Sequence, residues 1–326
     1  MPTPFVFITR QIASEAIERL REKAEVEVWL QESPPPKTVL LEKIAYTDGI
    51  LTMLTDPIDS EVIQAASSSL KVISQMAVGF DNIDIAAATR RRIPVGHTPG
   101  VLTETTADFA WALILAAARR IVEADRQVRQ GIWKPWGPDV LTGLDVYGAT
   151  LGIIGFGRIG QAVAQRAKCF NMHILYYSRQ RKPEAERALG ATYVDLEEIF
   201  RRSDILSLHL NYTPAAHHLV NRERLALMKP TAILINTARG AVVDSEALVW
   251  ALQNSVIAGA ALDVFDPEPI PHEHPLLQME NVILTPHIAS ASRETRRRMA
   301  LMAVENVLAG LEDRPLPYCA NPEVYS

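Results

Sequence analysis

Three histidines lie in one short stretch of the chain, VFDPEPIPHEHPLLQMENVILTPHIAS, which covers residues 264–290. Histidine changes its charge close to neutral pH, so its imidazole can both donate and accept a proton during a reaction. His272 and His274 lie in the proline-broken link PIPHEHP, and we expect both at the surface. His287 ends the apolar run NVILTPH and should lie just beyond a strand. His287 is therefore the candidate for acid–base chemistry.

A second candidate site is the glycine motif in LGIIGFGRIG, where Gly155, Gly157 and Gly160 form G-x-G-x-x-G between an apolar strand and the helical pattern QAVAQRAKCF. In a dinucleotide site the first glycine makes the tight turn and the second admits the pyrophosphate. The third lets the helix pack closely on the strand. In this strand and helix context, the motif predicts a dinucleotide site.

The residues after the next strand, YYSRQRK, bear on which dinucleotide binds. An NAD site usually places a carboxylate there for the ribose 2′-hydroxyl. Here Ser178 is followed by Arg179, Arg181 and Lys182, and no acid occurs before Glu184. A hydroxyl and a guanidinium suit a 2′-phosphate, so we expect NADP(H) to be preferred. The alternative is a solvated basic turn that accepts NAD(H) as well.

These residues need strands and helices to position them, and the sequence predicts an α/β fold with two domains. Short apolar runs alternate with helical patterns over the first hundred residues, and a second such series starts at TLGIIGF, as expected for a doubly wound domain. Between them, ETTADFAWALILAAARRIVEADRQVRQG has no internal glycine or proline and predicts one long helix starting near Thr103.

Composition favours a small-molecule partner. The chain of 326 residues is 48% hydrophobic and 22% charged, with a net charge of −5, so no basic face is expected for nucleic acid or an anionic membrane. The N-terminal apolar run is too short for a signal or spanning segment. The two cysteines, Cys169 and Cys319, are too few for a disulfide framework, which fits a cytoplasmic protein.

Several ordered motifs resemble those of the D-isomer-specific 2-hydroxyacid dehydrogenase family, and most closely those of its glyoxylate/hydroxypyruvate reductases. They are LKVISQMAVGFDNID, VLTETTADFAWALIL, GATLGIIGFGRIGQAVAQRAKCFNMHILYYSR, LMKPTAILINTARGAVVD, AGAALDVFDPEP and NVILTPHIASAS. The resemblance implies a Rossmann nucleotide-binding domain over residues 99–288, inserted in a flavodoxin-like substrate domain of residues 1–98 and 289–326. It also implies a homodimer formed through the helix and the Trp133–Trp136 loop, near residues 103–145.

The family's catalytic trio falls on Arg239, Glu268 and His287. Arg239 follows the apolar strand AILINTA, and its fork of donors can grip the carboxylate and carbonyl of a 2-keto acid. His287 would give a proton to the carbonyl oxygen as hydride arrives, and Glu268 would face His287 and favour its charged form.

Other expected contacts follow from the same motifs. For the substrate, Val78 and Gly79 should bind the carboxylate through backbone amides, and Ser290 should contribute a hydroxyl. For the cofactor, besides the three glycines, Ser178 and Arg179, the expected contacts are Arg158, Ile159, Thr106, Thr237 and Asp263.

The resemblance leaves alternatives open. The substrate could be a larger 2-keto acid such as 2-ketogluconate, and relatives of this fold include NAD(H)-sensing corepressors that act by binding partners. Asn211 replaces a proline that the family often has, so contacts around Leu210 are in doubt. We expect no metal site at the adjacent His217 and His218, because no acid or cysteine cluster accompanies them.

Overall fold

The computed structural model describes residues 3–326. It divides into two compact units: the residues up to Leu102 together with Ala291–Ser326 form unit 1, and Thr103–Ser290 form unit 2. These bounds lie a few residues beyond those expected from the sequence, at 98 and 288.

The secondary-structure elements are numbered in chain order. The strands of the described residues are β1 (Phe5–Ile8), β2 (Glu25–Val28), β3 (Gly49–Thr52), β4 (Val72–Gln75), β5 (Val95–Gly96), β6 (Thr150–Ile154), β7 (His173–Tyr177), β8 (Ala191–Tyr193), β9 (Ile205–Leu208), β10 (Ile233–Asn236), β11 (Gly259–Leu262) and β12 (Val282–Leu284). The α-helices in the same part of the chain are α1 (Ser14–Arg21), α2 (Lys37–Ile44), α3 (Ser60–Ala65), α4 (Ile85–Arg90), α5 (Thr103–Ala118), α6 (Ile121–Arg129), α7 (Arg158–Ala167), α8 (Pro183–Leu189), α9 (Leu196–Arg202), α10 (Arg222–Leu225), α11 (Ser245–Gln253) and α12 (Arg293–Leu311). Short 3₁₀ turns cover Lys168–Phe170, Pro214–Ala216, Gly240–Val242, Pro275–Gln278 and Pro322–Tyr325.

Unit 1 is a parallel sheet in the order β2-β1-β3-β4-β5. This is the strand order of flavodoxin-like folds. Strands β3 and β4 are fully buried, as expected where helices cover both faces of a parallel sheet. Helix α12 packs on these strands, and the hydroxyl of Ser74 donates to the carbonyl of Ala303 at 2.8 Å.

Unit 2 is a parallel seven-stranded sheet in the order β12-β11-β10-β9-β6-β7-β8. Counted from the first strand of the unit, this is the dinucleotide-binding order 3-2-1-4-5-6 with a seventh strand added beyond the sixth. The order reverses between β6 and β9, which pair directly. Ligands of such sheets bind at the carboxyl ends of the strands near this reversal. The predicted α/β fold with a doubly wound Rossmann domain is confirmed.

The prediction of one long helix from Thr103 was wrong, because the helix breaks between α5 and α6. Arg120 has a left-handed backbone with φ of 52°, and its guanidinium binds both carboxylate oxygens of Glu123. The carbonyl of Ala118 accepts a hydrogen bond from the amide of Leu144 at 2.8 Å. A Cβ on Gly143 would lie 2.0 Å from that carbonyl oxygen. The loop around Gly143 therefore caps and ends α5.

Over residues 3–326, none of the helices combines the length and the apolar character needed to cross a bilayer.

Candidate active site

The three candidate catalytic residues follow three neighbouring strands of unit 2. Arg239 follows β10, Glu268 follows β11 and His287 follows β12. These strands pair side by side and run parallel, so their carboxyl ends meet at one edge of the sheet. The fold thus brings together residues that are far apart in sequence.

Glu268 and His287 form a direct pair. Nδ1 of His287 lies 2.8 Å from Oε2 of Glu268, and Oε1 of Glu268 accepts the backbone N–H of Phe265 at 2.9 Å. Burial works to raise the pKa of Glu268. The hydrogen bond and charge of His287, the Phe265 N–H and the charge of Arg239 outweigh it, so this pKa is held below its usual value. The pair is therefore a carboxylate facing an imidazole, with about a third of each side chain exposed.

The other two histidines of this segment have other surroundings. His272 is exposed, as expected. His274 is half-buried, which corrects the expectation of a surface residue. One ring nitrogen lies 2.9 Å from the hydroxyl of Ser245, and the other accepts the amide of Leu276 at 3.2 Å. His274 therefore ties a 3₁₀ turn to the start of α11.

His287 has a left-handed backbone, with φ of 54°. For a residue with a side chain this conformation costs about 1–3 kcal/mol and persists only where the surroundings impose it. The amide of His287 donates to the carbonyl of Asp263 at 2.9 Å. The hydrogen bonds around Asp263 therefore help to hold His287 in its left-handed conformation.

Asp263 is fully buried, and its carboxylate binds the segment that carries His287. Oδ1 accepts the hydroxyl of Thr285 at 2.7 Å and the amide of Ile288 at 2.9 Å, and Oδ2 accepts the amide of Ala289 at 2.8 Å. Sequence reasoning did not foresee these bonds. They make Asp263 a positioning residue for His287, and its expected contact with a nicotinamide stays a prediction.

Arg239 lies in a turn that packs against the loop carrying Glu268. Its guanidinium donates to the carbonyl of Ala238 at 2.8 Å, and its own carbonyl accepts the side-chain amide of Asn236 at 2.9 Å. A Cβ on Gly240 would lie 1.9 Å from the carbonyl carbon of Phe265. Only a glycine at position 240 allows the turn that contains Arg239 to lie this close to the loop that contains Glu268. This proximity agrees with the lowering of the Glu268 pKa by the charge of Arg239.

The glycine motif has the geometry that a pyrophosphate requires. Gly155 has φ of 96°, and a Cβ on it would lie 2.4 Å from the carbonyl oxygen of His209. A Cβ on Gly160 would lie 2.1 Å from the carbonyl oxygen of Gly155, so no side chain fits between helix and strand. At Gly157, by contrast, the position of a Cβ is open space. This space adjoins the N-terminus of α7.

Helix α7 begins at Arg158, so the amides of Arg158 and Ile159 lie in its first turn, where helices attract anions. Near the same sheet edge, the hydroxyl of Thr237 is buried and, within residues 3–326, has no hydrogen-bond partner. An open cradle at a helix N-terminus and an unsatisfied buried hydroxyl both fit a dinucleotide cofactor.

The turn after β7 contains the residues expected to choose the cofactor. Arg179 is exposed, while the hydroxyl of Ser178 donates to the carbonyl of Gln180 at 2.6 Å. Arg181 is paired with Glu186, with nitrogen–oxygen distances of 2.8 and 2.9 Å. The basic cluster is therefore partly neutralised by an acid that the sequence motif did not reveal.

The remaining expected contacts are distributed as follows. Thr106 is buried in the first turns of α5, and Ser290 is half-buried at the end of unit 2. Val78 and Gly79 follow β4 in unit 1. The carbonyl oxygen of Val78 lies 3.0 Å from Nδ1 of His97 and accepts a hydrogen bond when that nitrogen is protonated. The carbonyl oxygen of Gly79 accepts the side-chain amide of Gln75 at 3.4 Å. The roles proposed for these four residues stay predictions.

His209, at the end of β9, is a further residue of the nucleotide edge. Its ring lies 2.7 Å from the hydroxyl of Ser207, and burial lowers its pKa to about 4, so it is neutral at physiological pH. The backbone at His209 and Leu210 packs against Gly155, whereas Asn211 is exposed.

His217 and His218 stack on each other, with ring centroids 3.9 Å apart. His217 directly follows the 3₁₀ turn Pro214–Ala216, and His218 comes after it. In the part of the chain that the structure describes, no group of three or more His, Cys, Asp or Glu side chains is arranged to hold a metal ion.

Comparison with known proteins agrees with this geometry. Residues 111–289 match the family model described as "D-isomer specific 2-hydroxyacid dehydrogenase, NAD binding domain". A glyoxylate reductase of Korarchaeum cryptofilum is 53% identical over 98% of this chain and 97% of its own. A crystal structure of a protein from Thermus thermophilus superposes with a TM-score of 0.91 at 50% identity, covering 97% of this chain and 99% of that one.

An NADPH-dependent glyoxylate/hydroxypyruvate reductase from Sinorhizobium meliloti, solved with NADP and malonate, superposes with a TM-score of 0.86 at 34% identity, covering 98% of this chain and 97% of that one. Relatives of this similarity over nearly the whole chain show the family. The chain belongs to the D-isomer-specific 2-hydroxyacid dehydrogenases, which are oxidoreductases acting on CH–OH donors with a nicotinamide cofactor.

Proposed function

We propose that the protein reduces a small 2-keto acid, glyoxylate or hydroxypyruvate, to the D-2-hydroxy acid. The observation that carries the proposal is the pairing of His287 with Glu268, at the edge of the sheet where Arg239 also lies. The similarity to relatives that are named glyoxylate reductases supports the substrate class.

Each residue has one task in this reaction. Arg239 grips the substrate carboxylate and orients its carbonyl, which a planar fork of donors does better than a point charge. His287 donates a proton from Nε2 to the carbonyl oxygen, because its Nδ1 is engaged by Glu268. Glu268 holds the ring in place and balances its positive charge. When bound, the reduced cofactor supplies the hydride.

We propose the substrate-domain role for unit 1 and the nucleotide-binding role for unit 2. Unit 2 contains the glycine motif and the open space at Gly157. Val78 and Gly79 of unit 1 stay the predicted binders of the substrate carboxylate, with Ser290 as a further polar contact.

NADP(H) is the proposed preferred cofactor, with NAD(H) as a weaker one. Arg179 is exposed in the turn after β7, and the carboxylate of Glu186, which follows this turn, binds Arg181. A guanidinium suits the 2′-phosphate of NADP(H), and a carboxylate directed at the ribose would repel it. In the glycine motif, the amides of Arg158 and Ile159 would bind the pyrophosphate.

A homodimer is the proposed assembly. Trp133 and Trp136 are 72% and 87% exposed, and the neighbouring Ile121, Val128 and Ile132 are each more than half exposed. Large apolar side chains clustered at a surface mark a contact site. We also propose a cytoplasmic location, which the free thiols of Cys169 and Cys319 support.

The proposal is tested by measuring the oxidation of NADPH and NADH by the purified protein with glyoxylate, hydroxypyruvate, pyruvate and 2-ketogluconate. We expect the highest kcat/KM with glyoxylate or hydroxypyruvate and NADPH. A higher kcat/KM with 2-ketogluconate would contradict the substrate proposal. If the protein bound NADPH or NADH but none of the keto acids oxidised the bound cofactor, the result would favour a protein of the NAD(H)-sensing corepressor class.

A further inference from the structure

A buried tyrosine and an exposed arginine hold the same carboxylate at the end of β7. The phenol of Tyr176, which is fully buried, donates to Oε1 of Glu186, and the guanidinium of Arg181 binds both oxygens of that carboxylate. The phenol oxygen also accepts the backbone amide of Lys182 at 2.8 Å. Glu186 and Tyr176 together therefore hold Arg181 and Lys182, the last two residues of the turn.

This arrangement is more than an exposed ion pair, which on its own contributes little. The Arg181 side chain is 63% exposed, but its partner Glu186 is only 13% exposed and is held by the buried Tyr176. The hydrogen bonds from Arg181 and Tyr176 lower the pKa of Glu186 to about 2, so the carboxylate is charged at neutral pH. The pair therefore persists at neutral pH.

The turn from Ser178 to Lys182 follows β7, the strand after the glycine motif, where the ribose of a dinucleotide would bind. Arg181 lies in this turn, and its partner Glu186 lies in α8, which begins directly after the turn. A guanidinium that binds a carboxylate with two parallel hydrogen bonds has lost part of its fork for a phosphate. The charge of Glu186 also opposes a dianion nearby. Of the two arginines in the turn, Arg179 is thus the available one and Arg181 the occupied one.

We propose that Glu186 is a specificity-determining residue that restrains the preference for NADP(H) by keeping Arg181 away from the adenosine 2′-phosphate. The inference rests on the proposed cofactor site. In this proposal, Glu186 reduces the difference between the affinities of the protein for NADP(H) and NAD(H). Removing the charge of Glu186 should release Arg181 to bind the phosphate.

The test measures binding of 2′,5′-ADP and 5′-AMP to the full-length protein by isothermal titration calorimetry, so that no turnover is needed. In Glu186→Gln the amide oxygen can still accept the Tyr176 hydroxyl, but the ion pair is lost. We expect this variant to bind 2′,5′-ADP roughly tenfold more tightly, as one additional charge-assisted hydrogen bond allows. The affinity for 5′-AMP should not change.

A double-mutant cycle identifies Arg181 as the cause. Arg181→Gln alone should weaken 2′,5′-ADP binding, because the charge of Glu186 is then unpaired. Glu186→Gln combined with Arg181→Gln should bind 2′,5′-ADP no more tightly than the wild type. Unchanged or weaker 2′,5′-ADP binding by a Glu186→Gln protein with native circular dichroism would overturn the inference. A gain that persists in the double variant would overturn it as well.

The result can be separated from the fate of the proposed function. Arg179→Gln reports whether the turn binds a 2′-phosphate in the first place, and we expect it to weaken 2′,5′-ADP binding selectively. Wild-type protein that binds both nucleotides equally would contradict the proposed NADP(H) preference. The change in 2′,5′-ADP affinity from wild type to Glu186→Gln would still show whether Glu186 restrains Arg181.

Discussion

Nδ1 of His287 lies 2.8 Å from Oε2 of Glu268, and this bond leaves Nε2 as the ring nitrogen for the proposed proton transfer. The acid and the residue that orients it come from loops after two neighbouring strands.

Replacing the imidazole should remove turnover and spare cofactor binding. We expect His287→Gln to lower kcat for keto acid reduction by about 10²- to 10⁴-fold, the usual contribution of a positioned general acid. NADPH affinity, measured by quenching of protein fluorescence, should stay near the wild-type value. His272→Gln is the matched control from the same segment and should retain full activity. Loss of NADPH binding with kcat preserved would contradict the assignment.

The stability contributed by Glu268 should be lost in acid. Because the folded-state pKa of Glu268 is below its usual value of 4.5, the ionised carboxylate stabilises the fold above that pH, and the contribution disappears as pH falls through the folded-state pKa. The difference in unfolding free energy between wild type and Glu268→Gln should therefore be largest above pH 4.5 and should shrink as pH falls through the folded-state pKa. Urea denaturation at a series of pH values measures it. A difference that is independent of pH would refute this.

The carboxylate of Asp263 should matter for both stability and turnover. In Asp263→Asn one oxygen becomes an amide that cannot accept the N–H of Ala289, so a buried donor loses its partner. We expect a loss of about 1–3 kcal/mol in unfolding free energy. Turnover should fall while cofactor affinity changes less, because the conformation of His287 is disturbed.

Thr285→Val is the graded comparison for Asp263. It removes one of the three hydrogen bonds to the carboxylate and leaves both backbone amides bound. Its effects on kcat and on stability should be smaller than those of Asp263→Asn. Equal kcat in wild type and both variants would show that Asp263 does not position His287.

The exposed tryptophans should be needed for assembly. We expect the double variant Trp133→Ser, Trp136→Ser to sediment as a monomer in analytical ultracentrifugation at a concentration where the wild type is a dimer. Tyr325→Ser, which alters an exposed aromatic residue of unit 1, is the control and should remain dimeric. A monomeric wild type would exclude the proposed homodimer.

The parts of the molecule that could be predicted from sequence are those with a local pattern. The glycine motif lies within six residues between a strand and a helix, and the positions of Arg239 and His287 follow from apolar strands directly before them. Strand β10 is fully buried and β12 is partly buried, so both consist mainly of apolar residues that the sequence reveals. The pairing of Glu268 with His287 was predicted from the family motif and is confirmed by their distance.

What escaped prediction depends on contacts between distant segments. Helix α5 ends where it does because the amide of Leu144 caps Ala118, and no residue near Ala118 signals this. The bonds of Asp263 reach residues more than twenty positions later in the chain. Glu186 is only five residues from Arg181, but its importance depends on the buried hydroxyl of Tyr176. Burial of this kind has no local pattern.

The order of the seven-stranded sheet also has a consequence for how such an enzyme can change. The residues proposed for chemistry follow β10, β11 and β12, whereas those proposed to choose the cofactor follow β7, and β9 and β6 lie between the two groups. Three strand spacings separate β7 from β10, about 14 Å. Substitutions that far apart generally act additively. Substitutions in the turn after β7 can therefore change the cofactor preference without altering the residues after β10, β11 and β12. The proposed catalytic residues can stay the same in a variant selected for the other coenzyme.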